Sequence, residues 1–457
     1  MKLDRRQFTK AIGSLAFAGL AASMTAGCSA PAYRPKLKAY GPLVEDSDGI
    51  LDLPEGFRYK IISALGDKMT DGWTVPDRAD GMGCFALRGS EVALVRNHEL
   101  KIGHTGEGAF GETIPDGVAV YDTNDDGEVL AGGTTTIVYD METGDRVREY
   151  VSLAGTIRNC SGGVTPWGSW LTCEEDVTNA GSGAGKDHGY IFEVPADANG
   201  LVDPVPLKEM GRFNHEAAAV DPRTGIVYLT EDRDNSLFYR FIPNVKGKLA
   251  EGGKLQALVL KKAKGMETHN WNDKNLTVGV WEASEWIDLD NPESPEDDLR
   301  YRGQEAGAAT FARGEGIHWG DGELYFCCTS GGAEGYGQIM RYKPSEFEGE
   351  SGEAEKPGQL QLFLESRTSE EFNFGDNLTV APNGHLIVCE DQYSLVVDNH
   401  LRGVTPEGKL YDFAKLQSQT ELAGACFSPD GSTLFVNVYS PAKTLAITGP
   451  WEKFINA

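Results

Sequence analysis

The chain has 457 residues, with 69 acidic against 42 basic side chains and a net charge of −27 at neutral pH. A polyanion of that strength repels nucleic acid and anionic lipid, which excludes nucleic acid as a partner and leaves a membrane only through a covalent anchor. The length fits one large closed architecture or two ordinary domains.

At the N-terminus Lys2, Arg5, Arg6 and Lys10 stand against a single Asp4, and an apolar run follows from Ala11 to Ala26. That is the outline of an export signal, too short for a spanning helix. Asp4-Arg5-Arg6-Gln7-Phe8-Thr9-Lys10 is a twin-arginine pattern, the address that bacteria use for chains exported already folded and often metal-loaded. It predicts the twin-arginine export machinery as a partner and a periplasmic or extracellular destination; an ordinary secretory signal is the alternative. Thr25-Ala26-Gly27-Cys28 has the form of a lipoprotein cleavage box, with Thr25 where a large aliphatic residue is usual. Residues 1–30 are therefore assigned to the signal and 31–457 to a single monomeric domain.

Past residue 30 helical periodicity is scarce, and short alternating runs separated by Gly, Pro, Asn and Asp turns recur. In chain order, six of them form related hairpins: Cys84 to Glu99, Val164 to Glu175, Ala218 to Asp232, Ile317 to Thr329, Leu378 to Asp391 and Cys426 to Val438. Six such units predict an all-β fold, a six-bladed β-propeller with one hairpin per blade, and a pair of β-sandwiches is the alternative. Thr178 to Gly189, Asn291 to Gly307 and Ser345 to Gly358 read as surface loops.

The acids share a register. Six and seven residues after the turn glycines Gly168, Gly225 and Gly384 come Glu174 and Glu175, Glu231 and Asp232, Glu390 and Asp391. Seven to ten residues before the turn glycines of five hairpins stand Cys160, Glu216, Glu315, Asp376 with Asn377, and Glu421. In an antiparallel hairpin the start of the first strand and the end of the second lie at one edge, so both sets converge on one face, around the axis. Carboxylates gathered there repel one another unless cations neutralise them, which predicts an axial metal site. Oxygen ligands suit calcium, whereas a thiolate at Cys160 calls for a softer or redox metal such as iron or zinc.

Seven cysteines follow residue 30, an odd number that leaves at least one thiol unpaired in an exported protein. Cys84, Cys173, Cys327, Cys328 and Cys389 occupy apolar strand positions and read as core. His98 and His215 each precede a glutamate, Glu99 and Glu216; neighbours on a strand point to opposite faces, so each His packs behind its Glu. No Gly-x-Ser-x-Gly elbow, Walker loop or His-Glu-x-x-His motif is present.

Asn97-His98-Glu99, Asn159-Cys160-Ser161-Gly162-Gly163, Thr165 through Glu175, Gly211-Arg212-Phe213-Asn214-His215-Glu216, the pair Arg313 and Glu315, and Glu421 through Gly431 resemble PhoX-type alkaline phosphatases over essentially the whole chain past the signal. The resemblance implies a propeller whose axial iron and calcium cluster hydrolyses phosphomonoesters outside the cytoplasm. By position it matches Cys160 to an iron-binding cysteine, Glu175 and Glu216 to cluster carboxylates, Arg313 to a phosphate-binding arginine and Glu315 to a further ligand. Arg313 and Glu216 are the expected catalytic residues. Glu99, Asp232, Asp376, Asn377, Glu390 and Asp391 complete the expected metal set. Two other functions fit an acidic propeller: a calcium-dependent lactonase or esterase, which needs neither Cys160 nor iron, and a non-enzymatic periplasmic scaffold with structural calcium.

Overall fold

In the computed structural model, which describes residues 35–111, 117–392 and 394–455, each of the six hairpins is the inner strand pair of one blade. The signal segment and Cys28 lie outside the described residues. The first blade runs outward through Ala79–Ala86, Glu91–His98, Gly132–Asp140 and Asp145–Thr156, and the second through Asn159–Val164, Ser169–Glu174 and Ile191–Pro195. The third uses His215–Val220, Val227–Glu231, Tyr239–Pro243 and Gly253–Leu260, and the fourth Gly314–Trp319, Leu324–Cys328, Gln338–Lys343 and Gln359–Glu365. Trp281–Asp288 pairs with the outer strands of both, so these two blades form one nine-stranded sheet.

The fifth blade is Gly375–Val380, Leu386–Glu390, His400–Val404 and Leu410–Leu416, extended by Leu51–Pro54 and Leu43–Val44. The sixth takes Leu422–Phe427, Thr433–Val438 and Lys443–Thr448 from the C-terminal end and its outermost strand, Arg58–Ala64, from the N-terminal end. That pairing, from Lys443↔Ala64 to Thr448↔Arg58, joins the two ends of the domain and closes the ring.

The blades pack through their faces. Phe238 stacks on Phe326 at 4.5 Å between the third and fourth blades, and Cys173, Leu229 and Tyr239 belong to the buried layer between the second and third. Cys173, Cys327, Cys328 and Cys389 are all fully buried in strands. At the axis the inner strands approach until backbone meets backbone: a Cβ on Gly163 would stand 2.0 Å from the Ala218 carbonyl oxygen, and one on Gly316 2.7 Å from the Asn377 Cα. Only glycine fits there.

Every inner strand also breaks register just after it begins, between Ala79/Met82, Asn159/Gly162, His215/Ala218, Gly314/Ile317, Gly375/Leu378 and Ala423/Cys426. A bulge sets two residues against one and re-aims the side chain it carries. In five blades that side chain is a potential ligand: Asp80, Cys160, Glu216, Glu315 or Asp376. The sixth has Gly424 in the bulge instead.

One stretch read as loop is more ordered than expected. Within Asn291 to Gly307 lies the helix Leu299–Glu305, which buries Leu299 and sets Arg300 against Glu231.

Candidate metal centre

Among the described residues, three sets of ligand atoms each have all their members within 4.8 Å of one another: Cys160, Glu175 and Glu216; Glu216, Glu315 and Asp376; Asp376, Asp391 and Glu421. Glu216 and Asp376 each belong to two sets, so the three join into one continuous row that takes residues from five blades. The bulges supply Cys160, Glu216, Glu315 and Asp376, the ends of second strands supply Glu175 and Asp391, and Glu421 stands immediately before the last inner strand.

Without counter-ions, Glu175, Glu216, Glu315, Asp376 and Glu421 are driven toward their protonated forms. Burial, followed by the neighbouring carboxylates, pushes Glu216 well above the usual carboxylate range, and burial does the same to Glu175, Glu315 and Glu421. Asp376 is pushed up to about 7, by burial and then by Asp391. Burial and then Glu216 raise the Cys160 thiol, whose Sγ lies 3.3 and 3.4 Å from the His215 and Glu216 carbonyl oxygens. Repulsion of this order is what bound cations remove.

Asp80 is a member of this constellation that sequence reasoning missed. It is 6% exposed, its Oδ1 has no hydrogen-bond partner, and burial with the charges of Glu99, Asp376 and Glu175 raises its pKa well above the usual range. A buried carboxylate oxygen without a partner costs about 1–3 kcal/mol unless something else satisfies it. A hard cation does so, and the donor set as a whole fits one thiolate-preferring metal at Cys160 and oxygen-preferring cations along the carboxylates.

Two arginines flank the row. Arg158 donates from Nε to Glu99 Oε1 at 2.6 Å and pairs through Nη1 with Glu175 Oε1 at 2.6 Å. Arg313 grips Asp232 with a two-bond fork, Nε to Oδ1 at 2.6 Å and Nη2 to Oδ2 at 2.9 Å, and also donates to Glu315 Oε1 at 2.8 Å. The guanidinium of Arg313 holds Asp232 far below the ordinary carboxylate range although the residue is buried. Glu99 is likewise lowered, by Arg158 and by the Tyr439 hydroxyl that donates to it.

The expected ligands therefore divide. Cys160, Glu175, Glu216, Glu315, Asp376 and Asp391 are brought together. Asp232 and Glu99 stand beside the row as partners of arginines.

Glu390 is a correction: its Oε1 accepts from the Asn373 backbone and from Arg402 Nε at 2.9 and 2.8 Å, and its Oε2 from His400 N at 3.1 Å. It packs behind Asp391, as Glu174 packs behind Glu175 with His188, because consecutive strand residues face opposite sides. Asn377 stands beside Asp376 at the axis. Its Oδ1 accepts from Gly424 N at 2.7 Å and its Nδ2 donates to Asp376 Oδ1 at 3.0 Å, which ties it to the row through Asp376. His98 and His215 are buried behind their glutamates, His98 between the Asp77 carbonyl and Thr135 and His215 against Phe213.

The raised acids fix how metal-free protein responds to pH. Their folded pKa values lie above those of the unfolded chain, so folded protein holds more protons and stability falls as pH rises from about 4 through the raised values. Chelated protein is expected to lose stability between pH 5 and 8, by up to about 1.4 kcal/mol per pH unit for each such group, and calcium is expected to abolish the slope. Urea denaturation across that range, with and without chelator, checks this; a flat profile after chelation would remove the case for a repulsive acid row.

A family model described as alkaline phosphatase PhoX matches residues 38–442. Pseudomonas fluorescens PhoX, solved in complex with vanadate, a transition-state analogue, is 19% identical, with 88% of this chain and 96% of that chain covered and a TM-score of 0.65. A gluconolactonase from Xanthomonas campestris is 14% identical over 91% of this chain and 99% of its own, with a TM-score of 0.42, a likeness too distant to bear on activity. No curated protein matches by sequence. The match over nearly all of the propeller, together with the thiol and carboxylate row at its axis, places this chain in the PhoX alkaline phosphatase family of metal-dependent phosphatases.

Proposed function

We propose that this phosphatase is an exported enzyme that hydrolyses phosphomonoesters at the axial row, with iron held by Cys160 and calcium by the carboxylates. The observation that carries the reading is the union in one place of a buried thiol, a run of acids with raised pKa values and two arginines. Bound metal ions supply Lewis acidity and an activated water there. Glu216 and Asp376 each belong to two of the three ligand sets, and each would help to hold more than one cation. Asp232 and Glu315 aim the Arg313 guanidinium, which is placed to grip phosphoryl oxygens and to stabilise charge as it develops on them.

A lactonase would need neither the thiol nor the arginines, and a scaffold would need no arginine beside its ligands. Assay of protein purified from its own host separates the readings: turnover of a phosphomonoester such as p-nitrophenyl phosphate, lost on chelation, is expected. Lactone hydrolysis without phosphatase activity would overturn the assignment.

Export through the twin-arginine route fits a centre loaded in the cytoplasm and would deliver a monomer to the periplasm or beyond, held at the membrane if Cys28 is lipidated. Changing Arg5 and Arg6 together to Lys is expected to leave folded, active protein in the cytoplasm. Normal periplasmic accumulation of that variant would refute the route.

A further inference from the structure

Arg158 and Arg313 occupy the same place in two different blades. Each immediately precedes an inner strand, and each has a left-handed backbone, with φ of 52° and 54°. Each carbonyl accepts from the residue just beyond the second strand of its own blade, Glu175 N to Arg158 O and Thr329 N to Arg313 O, both at 3.0 Å. Each amide donates to the preceding blade, to Leu100 O and to Arg233 O. The side-chain partners correspond too. Arg158 takes Glu99 and Arg313 takes Asp232, in both cases the acid just past the second strand of the preceding blade, and each then reaches a carboxylate of the axial row, Glu175 or Glu315.

A left-handed non-glycine residue is strained, and such strain is retained where a side chain must be aimed. Arg78 has the same backbone pose, with φ of 54°, yet it pairs with Glu107 and lies over the Tyr439 ring without touching a member of the row. Pose alone therefore does not bring an arginine to the row; the paired acids do so for Arg158 and Arg313.

We propose that Arg158 is a second phosphate-binding arginine, which grips the phosphoryl group from the Cys160 and Glu175 side while Arg313 grips it from the Glu315 side. The inference rests on the phosphatase reading above. Glu99 and the backbone and side chain of Glu175 engage Nε and Nη1 of Arg158, while Nη2 has no hydrogen-bond partner among the described residues. The side chain is 12% exposed against 17% for Arg313, so both reach solvent from an otherwise buried site. A phosphomonoester dianion offers three non-bridging oxygens, enough for two guanidinium groups and a metal ion at once, whereas a diester offers two.

The test is calorimetric titration of inorganic phosphate into metal-loaded holoenzyme, with iron and calcium contents measured on the same samples. Arg158→Gln is expected to weaken phosphate binding about 10- to 100-fold, the range for loss of a charge-assisted hydrogen bond, with metal content unchanged. Arg158→Lys, which keeps the charge and loses the fork, is expected to fall between Gln and wild type, and serves alone if the Gln variant does not fold. Arg78→Gln is expected to bind phosphate within about twofold of wild type. Wild-type affinity in both Arg158 variants, or a loss that only follows missing metal, would overturn the proposal while leaving the phosphatase reading intact. Wild-type holoenzyme that fails to bind phosphate would bring down both.

Discussion

Cys160→Ala is expected to remove the thiolate-preferring metal and to lower phosphatase activity by at least about a thousandfold while the propeller stays folded. The fold should survive because Cys160, 3% exposed, occupies one strand position among many packed ones, and truncating a small buried side chain costs about 1 kcal/mol. The site should not survive, because Cys160 is the only sulfur in the three ligand sets and shares its set with Glu175 and Glu216. Cys327→Ala is the matched control. It also sits fully buried in a strand, at the layer with Ile339, Phe363 and Val388, and should cost about 1 kcal/mol with metal and activity intact. If the two variants behave alike, in metal content as in activity, Cys160 is merely another core thiol. Element analysis, activity and far-UV circular dichroism on the same preparations decide the matter.

Arg313→Ala is expected to lower kcat/KM for phosphomonoesters by about a thousandfold, the loss found when a preorganised donor to developing phosphoryl charge is removed. Stability should fall as well, and its pH dependence identifies the cause. Asp232 owes its low pKa to Arg313, so the pair stabilises the fold above the unfolded carboxylate range, near pH 4, and the benefit is lost as pH falls below it. In the variant the deficit is therefore expected at neutral pH and should shrink progressively only as pH falls below about 4 toward the far lower folded value of Asp232. Arg313→Lys retains charge but not the two-bond fork to Asp232, and is expected to recover most of the stability and little of the activity. Unchanged kinetics in Arg313→Ala would reduce the residue to the structural half of an ion pair.

Much of the architecture was legible because a propeller repeats a local pattern. The inner hairpins show alternating apolar residues, a turn glycine and a polar strand end, all within reach of a short window, and the shared register of Glu175, Asp232 and Asp391 survives divergence everywhere else. Closure was not legible: Arg58–Ala64 and Lys443–Thr448 lie at opposite ends of the domain, and no local pattern names the partner of an outer strand. The helix at Leu299–Glu305 was hidden by its brevity, since seven residues hold barely two turns of periodicity.

At the site, the period-two rule that set His98 behind Glu99 applies equally to Glu390 and Asp391, and separates the buried partner of Arg402 from the member of the row. The hydrogen bond that Asn377 accepts from Gly424 in the next blade is a contact between inner strands that sequence spacing does not carry. Asp80 stands nine residues before Gly89, as Glu216 stands nine before Gly225, so the same count reaches it; it escaped because the first hairpin was read only from Cys84 onward, and the six repeated bulges reveal it at once. Arg158 stands two residues from Cys160, but its role rests on a pairing with Glu99 from the preceding blade.

The most direct test of the axial centre is a diffraction experiment on crystals of active protein purified from its own host, with anomalous data collected on both sides of the iron absorption edge. An iron peak bonded to Cys160 Sγ, with calcium among Glu216, Glu315, Asp376 and Asp391, is the result expected here. Fully active crystals with no metal within bonding distance of Cys160 or of those carboxylates would contradict it.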